Sequence, residues 1–304
     1  MLKLIKILAL PLLLAVILAA LSLAGCGGNA AEPEGPGGEM TGEQAKQMVA
    51  DSVLAVSDVN TYTFAMDMEV AAEAVGGSSP GTMSINMGMD GAADLAAKKM
   101  HMSLELSLEA LDIEGVSGDM MQNISADLYM MVDKIYMKMN VPELGDQWVQ
   151  LPLTEEIEEA YNLDMIEKQL EPIRSALEVK YLKTEKVDGS DCYVFKIVPD
   201  VAAMLDWVES QQMATGGLNF GAMESLEDIF NELSYTAWID KNSKMMRQMN
   251  VDMVMEMNAE EFGASDTEFD TITMEISMKM NLRDFNEPVS IVLPEEAEDA
   301  EMAQ

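Results

Sequence analysis

The sequence predicts an α+β protein built on one large, curved antiparallel β-sheet. Three observations support this prediction. Long stretches alternate apolar and polar residues, turn signals such as Asp188-Gly189 join neighbouring stretches, and helical periodicity is confined to separate segments. Period-two alternation places the apolar side chains on one face of a strand, and hairpins without a β-α-β rhythm favour an antiparallel sheet. Such long strands curl, and helices, a ligand or both could fill the resulting concavity.

The first element is predicted to be an amphipathic helix over residues 41–56. Met48, Val49 and Val53 recur at helical spacing. Thr41, followed by Gln44 three positions later, has the form of a capping box, in which each residue satisfies a free amide of the other.

After Asn60 the period changes from helical to two, which predicts a meander of three long strands. Residues 76–81 and Asp90-Gly91 are the expected turns between them. The apolar positions of these strands are Phe64, Met66, Met68 and Val70, then Met83, Ile85, Met87 and Met89, then Met100, Met102, Leu104, Leu106 and Leu108.

The rest of the chain continues this alternation, with helical segments between the strands. Two hairpins are expected, at Asp133-Lys134 and at Asp188-Gly189, and Cys192 in the second hairpin is expected to be a small buried residue. The predicted strands are 127–132, 135–139, 147–151, 179–187, 192–198, 235–240, 244–257, 267–282 and 289–293, and the predicted helices are 154–177, 199–212 and 223–233.

The N-terminus has the pattern of a lipoprotein signal peptide. Lys3 and Lys6 precede an apolar run, and Leu-Ala-Gly stands directly before Cys26. We therefore expect cleavage after residue 25 and acylation of Cys26, which would anchor the protein to the cell membrane in the extracytoplasmic envelope. The predicted organisation is a signal peptide over 1–25, an acylated cysteine and flexible tether over 26–43, one domain over 44–293, and a frayed acidic tail over 294–304.

Composition makes several functional classes unfavourable. A formal net charge of −36 repels phosphate backbones, so no nucleic-acid partner is expected. One His, two Cys and the lack of a nucleophile or phosphate-loop motif favour a protein that is not an enzyme and has no cofactor or Cys/His metal site. His101 is expected to be a polar surface residue on the face opposite Met100 and Met102. The acidic clusters are expected to be solvated surfaces.

The chain contains 30 methionines, many of them in Met-x-Met pairs on predicted strands, where both side chains face the same way. Three interpretations remain open. The methionines could pack an irregular core, line a pliable cavity for a flexible apolar ligand, or bind Cu(I) through their thioethers.

The order of these elements resembles the LolA/LolB-like lipoproteins, in particular the LppX/LprG group. The segments that carry the resemblance are Tyr62–Glu69, Tyr136–Met139 with the Trp148 strand, Val187–Ile197 and Trp238–Asn242. It implies an unclosed half-barrel with helices on its concave face and a cavity that holds lipid or lipoprotein acyl chains.

From this resemblance and the stripes we expect a non-enzymatic carrier or binder of a lipid-like ligand. The alternatives are a scaffold lipoprotein with a filled core and, third, a Cu(I)-binding protein. The predicted cavity wall consists of Phe64, Met66, Met68, Met87, Met89, Met102, Leu104, Leu106, Met253, Met255, Met257, Met274, Ile276 and Met278.

Overall fold

A large antiparallel sheet that does not close into a barrel dominates the computed structural model. The structure describes residues 40–55, 59–76, 81–110, 124–141, 145–152, 178–201, 229–258, 270–298 and 300–302. Eleven strands pair in antiparallel fashion, and a short twelfth strand adds in parallel to one edge. The strand order across the sheet is β12-β6-β5-β4-β3-β2-β1-β11-β10-β9-β8-β7.

Most of the strands have the bounds that alternation predicts, within a few residues. They are β1 (Thr61–Val75), β2 (Gly81–Asp94), β3 (Lys99–Ala110), β4 (Ile124–Met131), β5 (Lys134–Val141), β6 (Gly145–Pro152), β7 (Glu178–Val187), β8 (Ser190–Val198), β9 (Phe230–Asp240), β10 (Met246–Asn258), β11 (Thr271–Arg283) and β12 (Glu301–Met302). The predicted antiparallel sheet, its opening meander and its hairpins are confirmed.

Helix α1 (Gly42–Ala55) begins at the predicted capping box. The amide of Thr41 donates to Oε1 of Gln44 over 2.9 Å, and the amide of Gln44 donates to Oγ1 of Thr41 over 3.3 Å. The helix packs beside β7, and its buried side chains Ala45, Met48 and Val49 belong to the main core. The capping box thus fixes where the chain enters the fold.

Strand β1 lies at the middle of the sheet, between β2 and β11. Met66 pairs with Met89 on β2 and with Met280 on β11, and Met280 pairs in turn with Met249 on β10. Thus methionines far apart in sequence form a continuous cross-strand row. Such cross-strand neighbours are the packing unit of a sheet.

The predicted turn at Asp90-Gly91 is wrong, because both residues lie inside β2 and the turn comes at residues 95–98. Gly91 is opposite Phe64, and a Cβ at Gly91 would lie 2.6 Å from Cζ of that ring and would also collide with the backbone oxygen of His101. Gly91 is therefore glycine because a ring covers it, and not because the chain turns there.

Two other predictions near the middle and end of the chain also need correction. The predicted helix 223–233 overlaps β9, which begins at Phe230, and residues 289–293 form no strand. The predicted helix 154–177 lies wholly outside the described residues, and the predicted helix 199–212 lies outside them from residue 202, so the packing of these helices on the sheet stays a prediction.

The last described residues form what we call the C-terminal strap, residues 284–298 and 300–302. It is tied to the start of β1: the amide of Asn286 donates to the Thr61 carbonyl over 2.8 Å, and the Thr63 hydroxyl donates to Asp284 over 2.6 Å. The strap then forms helix α2 (Glu295–Glu298), in which Ala297 is fully buried, and ends as β12 on β6. The described part of the predicted frayed tail is thus structured.

Gly91 and Gly88 give a matched test of this packing. We expect Gly91→Ala to destabilise the fold by about 1–3 kcal/mol, because a tightly packed site forces the Phe64 ring and a neighbouring strand to move. Gly88→Ala, in the same strand but with nothing within 4 Å of the added carbon, should change stability by less than about 1 kcal/mol. Urea denaturation followed by circular dichroism measures both; equal losses would contradict this assignment.

Candidate functional site

The strand register brings all the predicted cavity-wall residues to one face of the sheet, which we call the methionine face. Met68, for example, pairs with Met87 and Met278, and Met274 pairs with Met255. The face also carries residues outside the predicted cavity wall; those on β3, β10 and β11 continue the same period-two alternation, and strand pairing adds those on β4 to β6. They are Met249, Val251, Met280 and Leu282 on β10 and β11, and Met100, Ile124, Leu128, Met130, Met137 and Val149 on β3 to β6.

Burial divides the methionine face into two regions. Over β10, β11 and the middle of β1 the side chains are buried: Met253, Met274 and Met278 are at most 2% exposed. Over β3 to β6 the side chains of the same face are half-buried wherever they are described, with the exception of Ile135. An apolar surface therefore begins inside the core and continues, on the same sheet face, to positions that water can reach.

Methionine suits such a surface for a physical reason. Its unbranched thioether has three rotatable bonds and adapts to irregular neighbours. In the row Met89–Met66–Met280–Met249, four consecutive strands present methionine side by side. Leucine or isoleucine in the same row would fill space of a fixed shape, whereas methionine can repack around a neighbour that changes.

The opposite face of the sheet carries polar residues and an open hollow of about 810 Å³. Asp67, Glu69 and Glu105 line it together with Lys279, and Gly88 contributes no side chain to it. Its remaining lining residues are Met68, Asn86, Met87, Leu106, Ser107, Ile124, Ser125, Asn140 and Ser277. The alternation of the strands turns the four apolar residues of this set toward the methionine face, so the hollow is a feature of the polar surface.

His101 lies on this polar face, as predicted, and stacks on Tyr129 with ring centroids 4.3 Å apart. Its Nε2 is 3.5 Å from Oδ1 of Asp127. Tyr129 is also in contact with Trp148, at 6.0 Å between centroids. Burial, followed by the charge of Asp127, raises the pKa of Tyr129. This aromatic contact could not be predicted from the sequence, because the three rings come from β3, β4 and β6.

The most strongly constrained charges lie at the β9–β10 turn, away from β3 to β6. Asp240 is 4% exposed, accepts from the amides of Asn242 and Ser243, and is 3.3 Å from the guanidinium of Arg247. Burial would raise the pKa of Asp240, but the two amides, with Ser190 and Arg247, hold it below the usual range. The Arg247 guanidinium also lies over the ring of Phe285, which attaches the strap to this turn.

On the methionine face, Tyr235 is the clearest shifted group: burial raises the pKa of its hydroxyl above its usual range, so it stays neutral. Cys192 lies on the opposite face, where burial and then the charge of Asp240 raise the pKa of its thiol to about 11. Both shifts favour uncharged forms. Such groups suit a packed structure better than acid–base chemistry at neutral pH.

The predicted signal peptide, the tether and the lipidation residue Cys26 lie outside the described residues, so these assignments stay predictions. Among the residues that the structure describes, no helix is both long and apolar enough to cross a membrane. Within the same residues, no three His, Cys, Asp or Glu side chains cluster in a way that could hold a metal ion.

The two regions of the methionine face should respond differently to truncation. We expect Met278→Ala to cost about 2–5 kcal/mol of folding free energy, as for other buried methionines. Met102→Ala should cost roughly 1 kcal/mol or less, because its side chain is half-buried and leaves little cavity. Chemical denaturation of both variants measures the difference, and equal costs would show that burial does not divide the face.

Cys192 makes folding sensitive to alkaline pH. Its thiol ionises near 9 when unfolded and near 11 when folded, so the folded state holds this proton more tightly. Its contribution to stability is complete below pH 9 and is lost as pH rises towards 11, by about 2–3 kcal/mol. The free energy of unfolding of Cys192→Ala, measured from pH 8 to 11, should fall less steeply than that of the unchanged protein. Parallel curves would contradict the shift.

Comparison with known proteins gives one family and distant structural similarities. No curated protein matches the chain. Lipoprotein LppX of Mycobacterium tuberculosis aligns at 14% identity and a TM-score of 0.40, over 83% of this chain and 100% of LppX. LprF of Mycobacterium bovis aligns at 13% identity and a TM-score of 0.40, over 84% of this chain and 99% of LprF.

At these TM-scores the two similarities carry no argument about the site, and membership in the LolA/LolB group stays a prediction. The family model, by contrast, matches residues 44–302, which include nearly every described element. The chain belongs to the family of unknown function DUF6612.

Proposed function

We propose that this protein is a membrane-anchored, extracytoplasmic lipoprotein that binds a lipid-like ligand on its methionine face and catalyses no reaction. The observation that supports the proposal is the continuity of that face. The apolar surface runs from the buried core at β1 to the half-buried strands β3 to β6. A flexible apolar chain could lie along β3 and β4 and be shielded from water by the same side chains that build the core.

The dimensions and energies suit an acyl chain. The apolar positions of β3 from Met100 to Leu106 span roughly 20 Å, at about 3.3 Å per residue. Each methylene removed from water contributes about 0.8 kcal/mol. A chain that buried ten methylenes there would gain roughly 8 kcal/mol before the entropy of ordering is subtracted. The gain depends on apolar contact, so the ligand is defined by its chain more than by its headgroup.

The proposed anchor and the charge of the body act together. Acylation at Cys26 would hold the protein at the membrane, and residues 27–43 would act as a flexible tether. Cleavage after residue 25 would remove Lys3 and Lys6 and change the net charge from −36 to −38, which would keep the folded body away from anionic headgroups. The polar face, with Asp67, Glu69 and Glu105, adds to this repulsion. The tether would then hold the protein near the membrane so that it can take up a ligand, while the sheet itself would not adsorb to the membrane.

A scaffold lipoprotein with a completely filled core is the alternative that the same experiment tests. In that case the half-buried side chains of β3 to β6 would be ordinary packing residues. The purified protein would then carry no ligand, and polar substitutions there would change stability alone.

The test compares two faces of one strand. We expect Met102→Gln/Leu104→Gln to lower the lipid that co-purifies with the chain by about tenfold or more, because two polar amides replace apolar contacts worth roughly 1–2 kcal/mol each. The control, Ser103→Gln/Glu105→Gln, changes the polar face of the same strand and should retain the lipid. Native mass spectrometry and lipid extraction of each purified protein measure occupancy.

The outcome is clear in either direction. Lipid on the unchanged protein and on the control, with loss from the first variant, supports the proposal. Absence of lipid from the unchanged protein, or equal occupancy in both variants, would overturn it in favour of the scaffold.

A further inference from the structure

Four methionines stand out within the half-buried region of the methionine face, and we call them the methionine patch: Met100, Met102, Met130 and Met137. Met100 pairs directly with Met130 across β3 and β4. Met102 and Met137 are the two neighbours of Leu128 in the next row. The patch is therefore contiguous over three strands, and each of its side chains is half-buried.

The patch differs from the buried methionines of the face in access to water, and Met89 on β2 is half-buried as the patch is. Met66, Met253, Met274 and Met278 are between 0% and 3% exposed, although they belong to the same sheet face. Solvent access decides whether a small reagent reaches a thioether without an opening of the fold. The structure thus sorts the methionines into a reactive group and a protected group.

We propose that the methionine patch is an oxidation site, and that its conversion to sulfoxide releases the apolar ligand. The oxidant is a peroxide, a class of reagent that an extracytoplasmic surface meets directly. A sulfur lone pair attacks one peroxide oxygen, a new S–O bond forms and the O–O bond breaks. For hydrogen peroxide the departing hydroxide leaves as water after taking the displaced proton. Sulfur loses two electrons and the peroxide gains them, so no further reductant is needed.

The effect on the site follows from the polarity of the product. A sulfoxide is polar and accepts hydrogen bonds, whereas a thioether is apolar. Adjacent sulfoxides would turn the half-buried part of the face into a surface that water solvates well and that no longer favours an acyl chain. The buried core over β1, β10 and β11 would stay reduced, so the fold would survive while the ligand surface changed. This regulatory role depends on the proposed ligand binding, but the order of oxidation does not.

The chain supplies a matched control on the same hairpin. Met131 is also half-buried, but it follows Met130 directly and therefore lies on the polar face. Its oxidation changes no part of the methionine face. A variant that removes this thioether should behave as the unchanged protein does.

The experiment treats the full chain with increasing hydrogen peroxide and locates sulfoxides by peptide mass spectrometry. We expect the patch to oxidise about tenfold or more faster than Met253, Met274 and Met278, because those sulfurs react only after a local opening. Circular dichroism should show that the fold remains while the patch is oxidised. Equal rates for the two groups, or unfolding together with patch oxidation, would overturn the proposed site.

The second measurement follows ligand occupancy, with the neutral dye N-phenyl-1-naphthylamine as an added apolar probe. Oxidation should lower co-purified lipid and dye fluorescence about tenfold in the unchanged protein and in Met131→Leu. In the variant Met100→Leu/Met102→Leu/Met130→Leu/Met137→Leu, oxidation should change neither the co-purified lipid nor the dye fluorescence. Equal loss in that variant, or no loss in the unchanged protein, would overturn the switch.

A protein that carries no lipid before oxidation contradicts the proposed function and, with it, the release of a natural ligand. The oxidation order and the dye response still decide whether the patch is a selective oxidation site that alters the apolar surface. Failure of the ligand proposal and failure of the oxidation proposal are therefore distinguishable.

Discussion

The pairing of β1 with β11 is the interaction on which the rest of the fold depends. It joins residues near position 70 to residues near position 276, over thirteen paired positions from Thr63 with Arg283 to Val75 with Thr271. Without it the meander β1–β6 and the C-terminal strands would be two smaller sheets with two incomplete apolar faces. With it, Met66 and Met68 lie beside Met280 and Met278, and one continuous face results. Such a pairing closes a long loop, so its entropic cost is repaid only by the apolar contacts that it creates.

The strands and their apolar faces could be predicted from the sequence because alternation is a local signal. The capping box of α1 is a local signal as well. So is the two-residue turn at Asp188-Gly189, where both residues have positive φ. The predicted turn at Asp90-Gly91 was wrong because the sequence does not distinguish a glycine under an aromatic ring from a glycine in a turn. The C-terminal strap was missed because its attachment is made by Asn286 and Thr61, which are more than 220 positions apart.

The candidate site, like the fold, could be predicted from the sequence only where the signal is local. Which side chains share a face follows from period two within each strand, so that part of the prediction needed no structure. Which of those side chains are buried does not follow, because burial depends on what lies across the face. Met102 and Met278 have nearly the same local pattern, yet the first is half-buried and the second is 2% exposed. The difference between the buried and the half-buried region of the face is therefore a tertiary property, and the methionine content alone does not separate them.

A sheet with a half-buried apolar region needs protection against other copies of itself. An apolar surface that water can reach and a strand edge with free backbone groups both favour association. The edge strand β7 carries exposed charged side chains, including Lys180, Lys183, Glu185 and Lys186. At the other edge of the sheet, β12 partly covers β6. The polar face and the net charge of −36 add long-range repulsion between copies. Repulsion of this kind opposes association through the half-buried apolar region, whereas a fully buried face would not need it.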